Sequence, residues 1–189
     1  MELSYKLYEK DLFTLNLYTA YQSKLFIKQK RNTIVFFTCI LLYLSYIANN
    51  EGNSIEVLIY FALAILFVLI YPYFSAYSYN KRGLRVVRDV YSNKIGKTIN
   101  INLKDDGVFV NDDYTETKIS LEGFMLCTEL KGHFILNLKN GSVYIIPKWA
   151  ISTDELRIKL LSLGISLTDD TKWSWQKASS LYSMFKSKT

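Results

Sequence analysis

Hydrophobic and polar positions fall into three regimes along this 189-residue chain. At the start, Leu3, Tyr5 and Leu7 alternate with Glu2, Ser4 and Lys6. This two-residue period predicts a half-buried strand. After Lys10-Asp11 the period becomes helical, with Leu12, Leu15, Tyr18, Leu25 and Phe26 among polar residues. No proline or glycine intervenes before Gly52, so a helix running directly into the next regime is expected.

The second regime is apolar. Thr33 to Ala48 holds no charge, and with a residue or two at each end it approaches the roughly 20 residues that cross a bilayer. Asn49 to Ser54 is polar and contains Gly52, which predicts a tight connection between antiparallel helices. Ile55 to Tyr79 is then interrupted only by Glu56 and Pro72. Tyr71, Tyr73, Tyr77 and Tyr79 form an aromatic belt of the kind found at headgroup level, Pro72 should weaken the backbone ladder, and the helix exit is expected near residue 80.

Beyond Arg88 the chain turns to short alternating stretches. Strands are predicted at Thr98–Leu103, Val108–Val110, Thr117–Ser120 and Gly123–Glu129, with Lys104-Asp105-Asp106-Gly107 and Asn111-Asp112-Asp113 as turns. His133–Leu138 and Ser142–Ile146 flank Asn140-Gly141, the sequence signature of a tight hairpin. Pro147 ends that ladder. Ser152 and Glu155 have the spacing of a capping box, opening a helix to about Leu163 whose Leu156, Leu160 and Leu163 face is widened by Ile158 and Leu161 and stopped by Gly164. The fold class predicted is therefore a membrane α-hairpin plus an α+β domain: an antiparallel sheet or small barrel resembling a pleckstrin-homology (PH) domain, closed by a C-terminal helix. Residues 1–32 form a strand and pre-membrane helix, 33–80 the hairpin, 96–165 the sheet domain and 171–189 a basic aromatic tail.

The formal net charge of +6 raises the question of nucleic acid, and the placement of the cations answers it. Lys24, Lys28, Lys30 and Arg31 precede the first apolar run, and Lys81, Arg82, Arg85 and Arg88 follow the second. The connecting turn carries Glu51 and no cation. By the positive-inside bias both termini are expected in the cytoplasm, as in a multi-pass protein of an inner or plasma membrane. The partner implied is the bilayer, with no role for nucleic acid. Lys28, Lys30, Arg31, Lys81, Arg82 and Arg85 are the expected membrane-interface residues, joined by Trp173 and Trp175 of the tail. That tail also holds Leu181, Tyr182, Met184 and Phe185 with four lysines and no acid from Thr171 onward, which suits either an interfacial helix on anionic lipid or docking on the protein. The polar, charged first thirty residues carry no leader-like apolar core, so the first hydrophobic helix is expected to direct insertion.

Candidate chemistry is sparse. Cys39 and Cys127 lie in different environments and read as small apolar residues. His133 is the sole histidine, which excludes multi-histidine metal sites. Asp105-Asp106 and Asn111-Asp112-Asp113 lack the spacing of a calcium loop, and the glycines are too scattered for a phosphate loop. Apart from Glu56, tyrosines and Cys39, the apolar runs carry nothing ionisable for an ion pathway. No catalytic residue, metal or cofactor is expected, and the protein is read as a non-enzyme.

Lys10-Asp11-Leu12 leading to Tyr18, Lys28-Gln29-Lys30-Arg31, Ile119–Glu129, His133–Leu138 and above all Ile145-Ile146-Pro147-Lys148 resemble the YcxB-like family of bacterial membrane proteins. The family pairs an N-terminal two-helix hairpin with a C-terminal domain related to bacterial PH-like domains. The likeness covers most of residues 1–165 and not the tail. It departs at Leu121-Glu122-Gly123-Phe124, where members carry a tryptophan before the central strand, and at Trp149-Ala150-Ile151 after the lysine. The resemblance implies location and fold, and no catalytic residue. The expected function is a membrane-anchored non-enzymatic module that presents its cytoplasmic domain to an unidentified protein or to lipid. The alternative is an immunity protein neutralising a toxin at the same membrane. Small residues such as Ala62 and Ala64 are too few to decide homo-oligomerisation.

Overall fold

The computed structural model describes residues 1–111 and 116–179. The chain divides into two compact units, one of Met1–Asn16 with Leu84–Trp173, the other of Leu17–Gly83 with the segment from Ser174.

The first unit contains two four-stranded sheets. Strands β1 (Glu2–Lys6), β2 (Thr98–Lys104), β3 (Gly107–Asn111) and β4 (Glu116–Ile119) lie side by side in that order, all antiparallel. The second sheet orders β5 (Phe124–Glu129), β6 (His133–Leu138), β7 (Val143–Pro147) and β8 (Leu167–Asp169) as β7-β6-β5-β8, with only β5 and β8 parallel. Open sheets thus replace the alternative of a small closed barrel. The alternation seen in the sequence is real: Leu3 and Tyr5 are buried while Glu2, Ser4 and Lys6 are exposed. Leu3 pairs with Ile101 and Tyr5 with Ile99, so the N-terminal strand joins the C-terminal sheet. The Tyr5 hydroxyl donates to the Ile145 carbonyl at 2.8 Å and links β1 of one sheet to β7 of the other. The core holds Leu103, Val108, Phe134, Ile135 and Ile146.

Helix α4 (Thr153–Ser162, after α1 to α3 given below) has Leu156 and Leu160 buried, and Leu163 is buried beyond its end. Ile158 and Leu161 are 69% and 59% exposed, which corrects the wider apolar face expected from the sequence. At about 100° per residue, Ile158 lies on the far side from Leu156. Ser152 occupies the N-cap position with extended backbone, yet its side chain makes no capping bond, so the expected capping box does not form. Its carbonyl accepts the Leu156 N–H at 3.1 Å. Gly164 takes φ +74° and ends the helix as expected. The Asn140-Gly141 hairpin also forms, with Gly141 at φ +84°.

Helix α1 (Glu9–Gln22) does not run unbroken into the apolar stretch. Ser23 adopts extended backbone and its Oγ accepts the Phe26 N–H at 3.3 Å, starting α2 (Lys24–Asn50) afresh. The second unit is built on α2 and α3 (Ser54–Val90), about 40 and 55 Å long at 1.5 Å per residue. They meet at a turn where Gly52 takes φ +75°. Pro72 sits inside α3 without ending it. The helix also passes residue 80 and continues to Val90, because nothing in Asn80–Val90 except Gly83 opposes helix and Leu84 and Val87 keep its spacing. Ala48, Ala64 and Ile34 are buried, Ser45 Oγ donates to the Val57 carbonyl at 3.3 Å, and the Phe37 and Phe67 rings lie 5.5 Å apart. Small residues allow this close approach. The outer faces stay bare: Phe36, Leu58 and Leu69 are each more than half exposed. Both helices are long and apolar enough to cross a membrane.

Candidate functional site

Between Leu17 and Gly83 the charges are segregated. Lys24, Lys28, Lys30, Arg31, Lys81 and Arg82 lie toward one end of the hairpin, and the only acids, Glu51 and Glu56, lie at the other. Cations in the first turns of α2 oppose the preference of a helix N-terminus for negative charge, so helix stability does not explain their placement.

One of these cations is singular. Lys30 is only 6% exposed, whereas Lys28 and Arg31 beside it are exposed. Its Nζ lies 4.5 Å from the Phe26 ring centroid and 5.4 Å from that of Trp175. Phe26 and Tyr79 meet edge-on at 4.6 Å, and Tyr79 and Trp175 lie 5.2 Å apart. Trp175 is delivered by the short helix α5 (Trp175–Ala178), whose N-cap Ser174 accepts the Lys177 N–H at 3.4 Å. Lys30 and Arg82 line one cleft of about 580 Å³ with Gln29, Thr33, Ser75 and Ser78. Among the described residues no carboxylate pairs with either cation.

Of the interface residues expected from the sequence, the buried Lys30 and the exposed Arg82 line one cleft, and Trp175 packs against Lys30 without lining it. Lys28, Arg31 and Lys81 are exposed and form no such cluster. Arg85 and Trp173 belong to the sheet unit, where the Trp173 backbone N–H donates to the Asp170 carbonyl at 2.9 Å. Leu181, Tyr182, Met184 and Phe185 lie outside the described residues. Phe26 was read only as part of a helical face and Tyr79 only as part of the aromatic belt; their grouping with Lys30 was missed, although Phe26, Lys30 and Ile34 at four-residue spacing mark one face of α2.

The sheet unit carries a second polar arrangement. Glu129 is 2% exposed, and its carboxylate accepts from Arg157 Nε at 2.7 Å and Nη2 at 2.6 Å and from Lys148 Nζ at 2.5 Å. Hydrogen bonding from Arg157, and then from Lys148, holds this carboxyl below the ordinary carboxylate range against the opposing effect of burial. Lys148 follows Pro147 directly, so the Ile-Pro-Lys motif ends β7 and delivers an ammonium to the end of β5. Asp11 is equally buried; its carboxylate accepts the Tyr8 N–H at 2.9 Å and lies 2.9 Å from His133 Nε2. Lys10-Asp11-Leu12 thereby caps α1 and ties it to β6. Both clusters are connections between elements. Cys127 is fully buried, its thiol pushed up to about 12 by burial and by Glu129, which leaves it protonated and a poor nucleophile. Among the described residues no three His, Cys, Asp or Glu side chains gather as a metal site. On the surface of the same unit, Tyr8 and Trp149 are 48% and 56% exposed with ring centroids 6.0 Å apart, and Lys10 Nζ lies 5.8 Å from the Tyr8 ring.

Residues 103–162 match the family model of YcxB-like proteins. The YcxB-like segment runs from the end of β2 to the end of α4 and includes Glu129, His133, Lys148 and Arg157. Two apolar helices precede this YcxB-like sheet region, the arrangement that the sequence resemblance implies. No curated protein and no solved structure matches the chain.

Proposed function

We propose that the protein is a non-enzymatic membrane module in which α2 and α3 cross a bacterial plasma membrane as a hairpin and the YcxB-like unit binds another protein in the cytoplasm. The observation that carries this reading is the pairing of β1 with β2. Strands that share a sheet lie on one side of a membrane, so the chain between Lys6 and Thr98 crosses an even number of times. Two helices of spanning length supply two crossings. The cations at the open end of the hairpin support a cytoplasmic location of that end by the positive-inside bias. Bare apolar faces on both helices fit lipid and would be a liability in water. The family resemblance further supports a relation of the two sheets and α4 to PH-like domains. Protein binding is supported by the exposed Tyr8–Trp149 pair, since buried aromatic anchors dominate most protein interfaces.

Topology is tested by single cysteines placed at Asn53 and Lys94 in a Cys39→Ser, Cys127→Ser background. A membrane-impermeant maleimide applied to spheroplasts labels Asn53→Cys, and labels Lys94→Cys only after permeabilisation. Labelling of both sites in intact cells would sink the hairpin, and the reverse pattern would invert it. Partner binding is tested by crosslinking from native membranes with the wild-type chain and with Tyr8→Ala/Trp149→Ala. A dominant partner lost from the variant supports the aromatic surface, and undiminished capture refutes it. Should that partner be a membrane-active toxin, the module is an immunity protein.

A further inference from the structure

Resting on the membrane reading of the hairpin, we propose that the cleft at its basic end binds the phosphodiester headgroup of an anionic phospholipid, held by Lys30 and Arg82. Lys30 is 6% exposed as a residue, so its ammonium has given up part of its hydration and needs compensation. The Phe26 and Trp175 rings supply cation–π attraction, but rings carry no net charge and leave the site positive. Arg82 lines the same cleft and adds a second cation. The helices hold no acid that could neutralise either one, because Asp11 and Glu51 are consecutive acids in the sequence, as are Glu56 and Asp89. An anion from outside the chain completes the balance.

A second observation points the same way. Among the described residues the buried indole Nε1 of Trp175 has no hydrogen-bond partner, although its ring lies against Lys30. A buried donor beside a buried cation calls for an acceptor oxygen. The cleft volume of about 580 Å³ is within the range of small-ligand pockets. Its place selects the source of the anion. Tyr71 and Phe74 line the cleft on the apolar side and Gln29 and Arg82 on the polar side, which is where a bilayer changes from acyl chain to phosphate. A phospholipid there would seat its phosphate between the cations and lay its chains along the exposed face of the helices. Free phosphate shares the headgroup chemistry but gains nothing from that face.

The test uses the full chain extracted from native membranes, with retained phospholipid measured by native mass spectrometry. Wild type is expected to keep an anionic phospholipid. Lys30→Gln/Arg82→Gln should lower retention about thirtyfold, the effect of two lost lysine-like contacts. Lys28→Gln/Arg31→Gln removes the same charge from exposed positions and should retain lipid. Equal loss from both pairs, undiminished retention in the first pair, or equal retention of a zwitterionic lipid overturns the proposal. Displacement of the lipid by excess inorganic phosphate overturns the lipid assignment in favour of free phosphate. Alkaline extraction separates the two readings: a wild-type chain released from the membrane refutes the hairpin itself. Should the double variant alone be released, Trp175→Phe carries the test, with reduced lipid retention expected and unchanged retention overturning the site.

Discussion

Glu129→Gln removes one charge from the centre of an otherwise closed arrangement while keeping the side chain's size. Breaking a buried ion pair by deleting one partner costs about 3–5 kcal/mol, because the other charge is left without compensation. Here the cost is shared unequally. The Arg157 side chain is 40% exposed and keeps Asp154 at 3.0 Å, so it hydrates readily. The Lys148 side chain is 18% exposed and its Nζ lies 5.2 Å from the Phe134 ring, so it carries most of the penalty. We expect a loss of about 2–3 kcal/mol, below the full range because of Arg157. Cys127 provides the assay. It is fully buried two residues from Glu129 on β5, so maleimide labelling in a Cys39→Ser chain reports opening of that strand. With a urea slope of about 1–3 kcal/mol per molar, the labelling midpoint should fall by about 0.7–3 M. Glu129→Met/Lys148→Met should recover part of the loss, since no charge is then stranded. The pH response follows from the sign of the shift. A carboxyl whose folded pKa is lowered stabilises the fold above its ordinary pKa, and that stabilisation disappears as pH falls through the lowered value. Between about pH 6 and pH 3 the wild-type midpoint should therefore drop more than that of Glu129→Gln. A midpoint unchanged by Glu129→Gln would refute the view that this triad fastens β5 to β7 and α4.

Three further substitutions use the same readout. At Gly107, φ is +149° and a Cβ would stand 2.6 Å from the Ile119 carbonyl oxygen, so Gly107→Ala should cost more than about 2 kcal/mol. Gly141 has φ +84° and open space, so Gly141→Ala should cost only about 1 kcal/mol; the reverse order would refute the steric account. Tyr5→Phe deletes the hydrogen bond between the two sheets and should cost about 1 kcal/mol, with no measurable change in labelling refuting its role as a tie.

The strands of the sheet unit were legible because one face of each meets the core, as Leu3 and Tyr5 show. What β1 pairs with was not legible, since its partner Ile101 lies far along the chain and no local pattern encodes it. Strand β8 was missed: Leu167–Asp169 is short and has a single apolar residue. The break at Ser23 was hidden in a run of helical periodicity, where a serine reads as a tolerated polar residue and acts as a cap. The tyrosines expected to mark headgroup level were a poor guide to the end of α3, because a helical backbone has no reason to stop where an aromatic belt does. At the basic end the sequence gives the cations but presents Lys28, Lys30 and Arg31 alike. Only helical phase separates them: Lys30, Ile34, Ser45 and Ala48 are the buried positions of α2, and Lys30 falls on that stripe.

The pairing of β1 with β2 also bears on where the domain begins. A fragment of residues 84–179 contains the whole YcxB-like segment and lacks Glu2–Lys6, leaving the outer backbone groups of β2 unpaired and Ile99 and Ile101 without their cross-strand partners Tyr5 and Leu3. Unpaired edges with apolar side chains recruit other strands. The fragment should therefore self-associate on size exclusion, and a peptide of residues 1–16 added in trans should return it to a monomer by supplying the missing strand. A monomeric fragment indifferent to that peptide would show that β1 is an accessory. In the intact chain the hairpin itself favours the pairing. Closing a loop of about 90 residues costs entropy that grows with the logarithm of its length, and two antiparallel helices that bring their outer ends together shorten the loop to be closed. On the proposed membrane reading, insertion of the hairpin would then promote assembly of the sheet as well as anchor it.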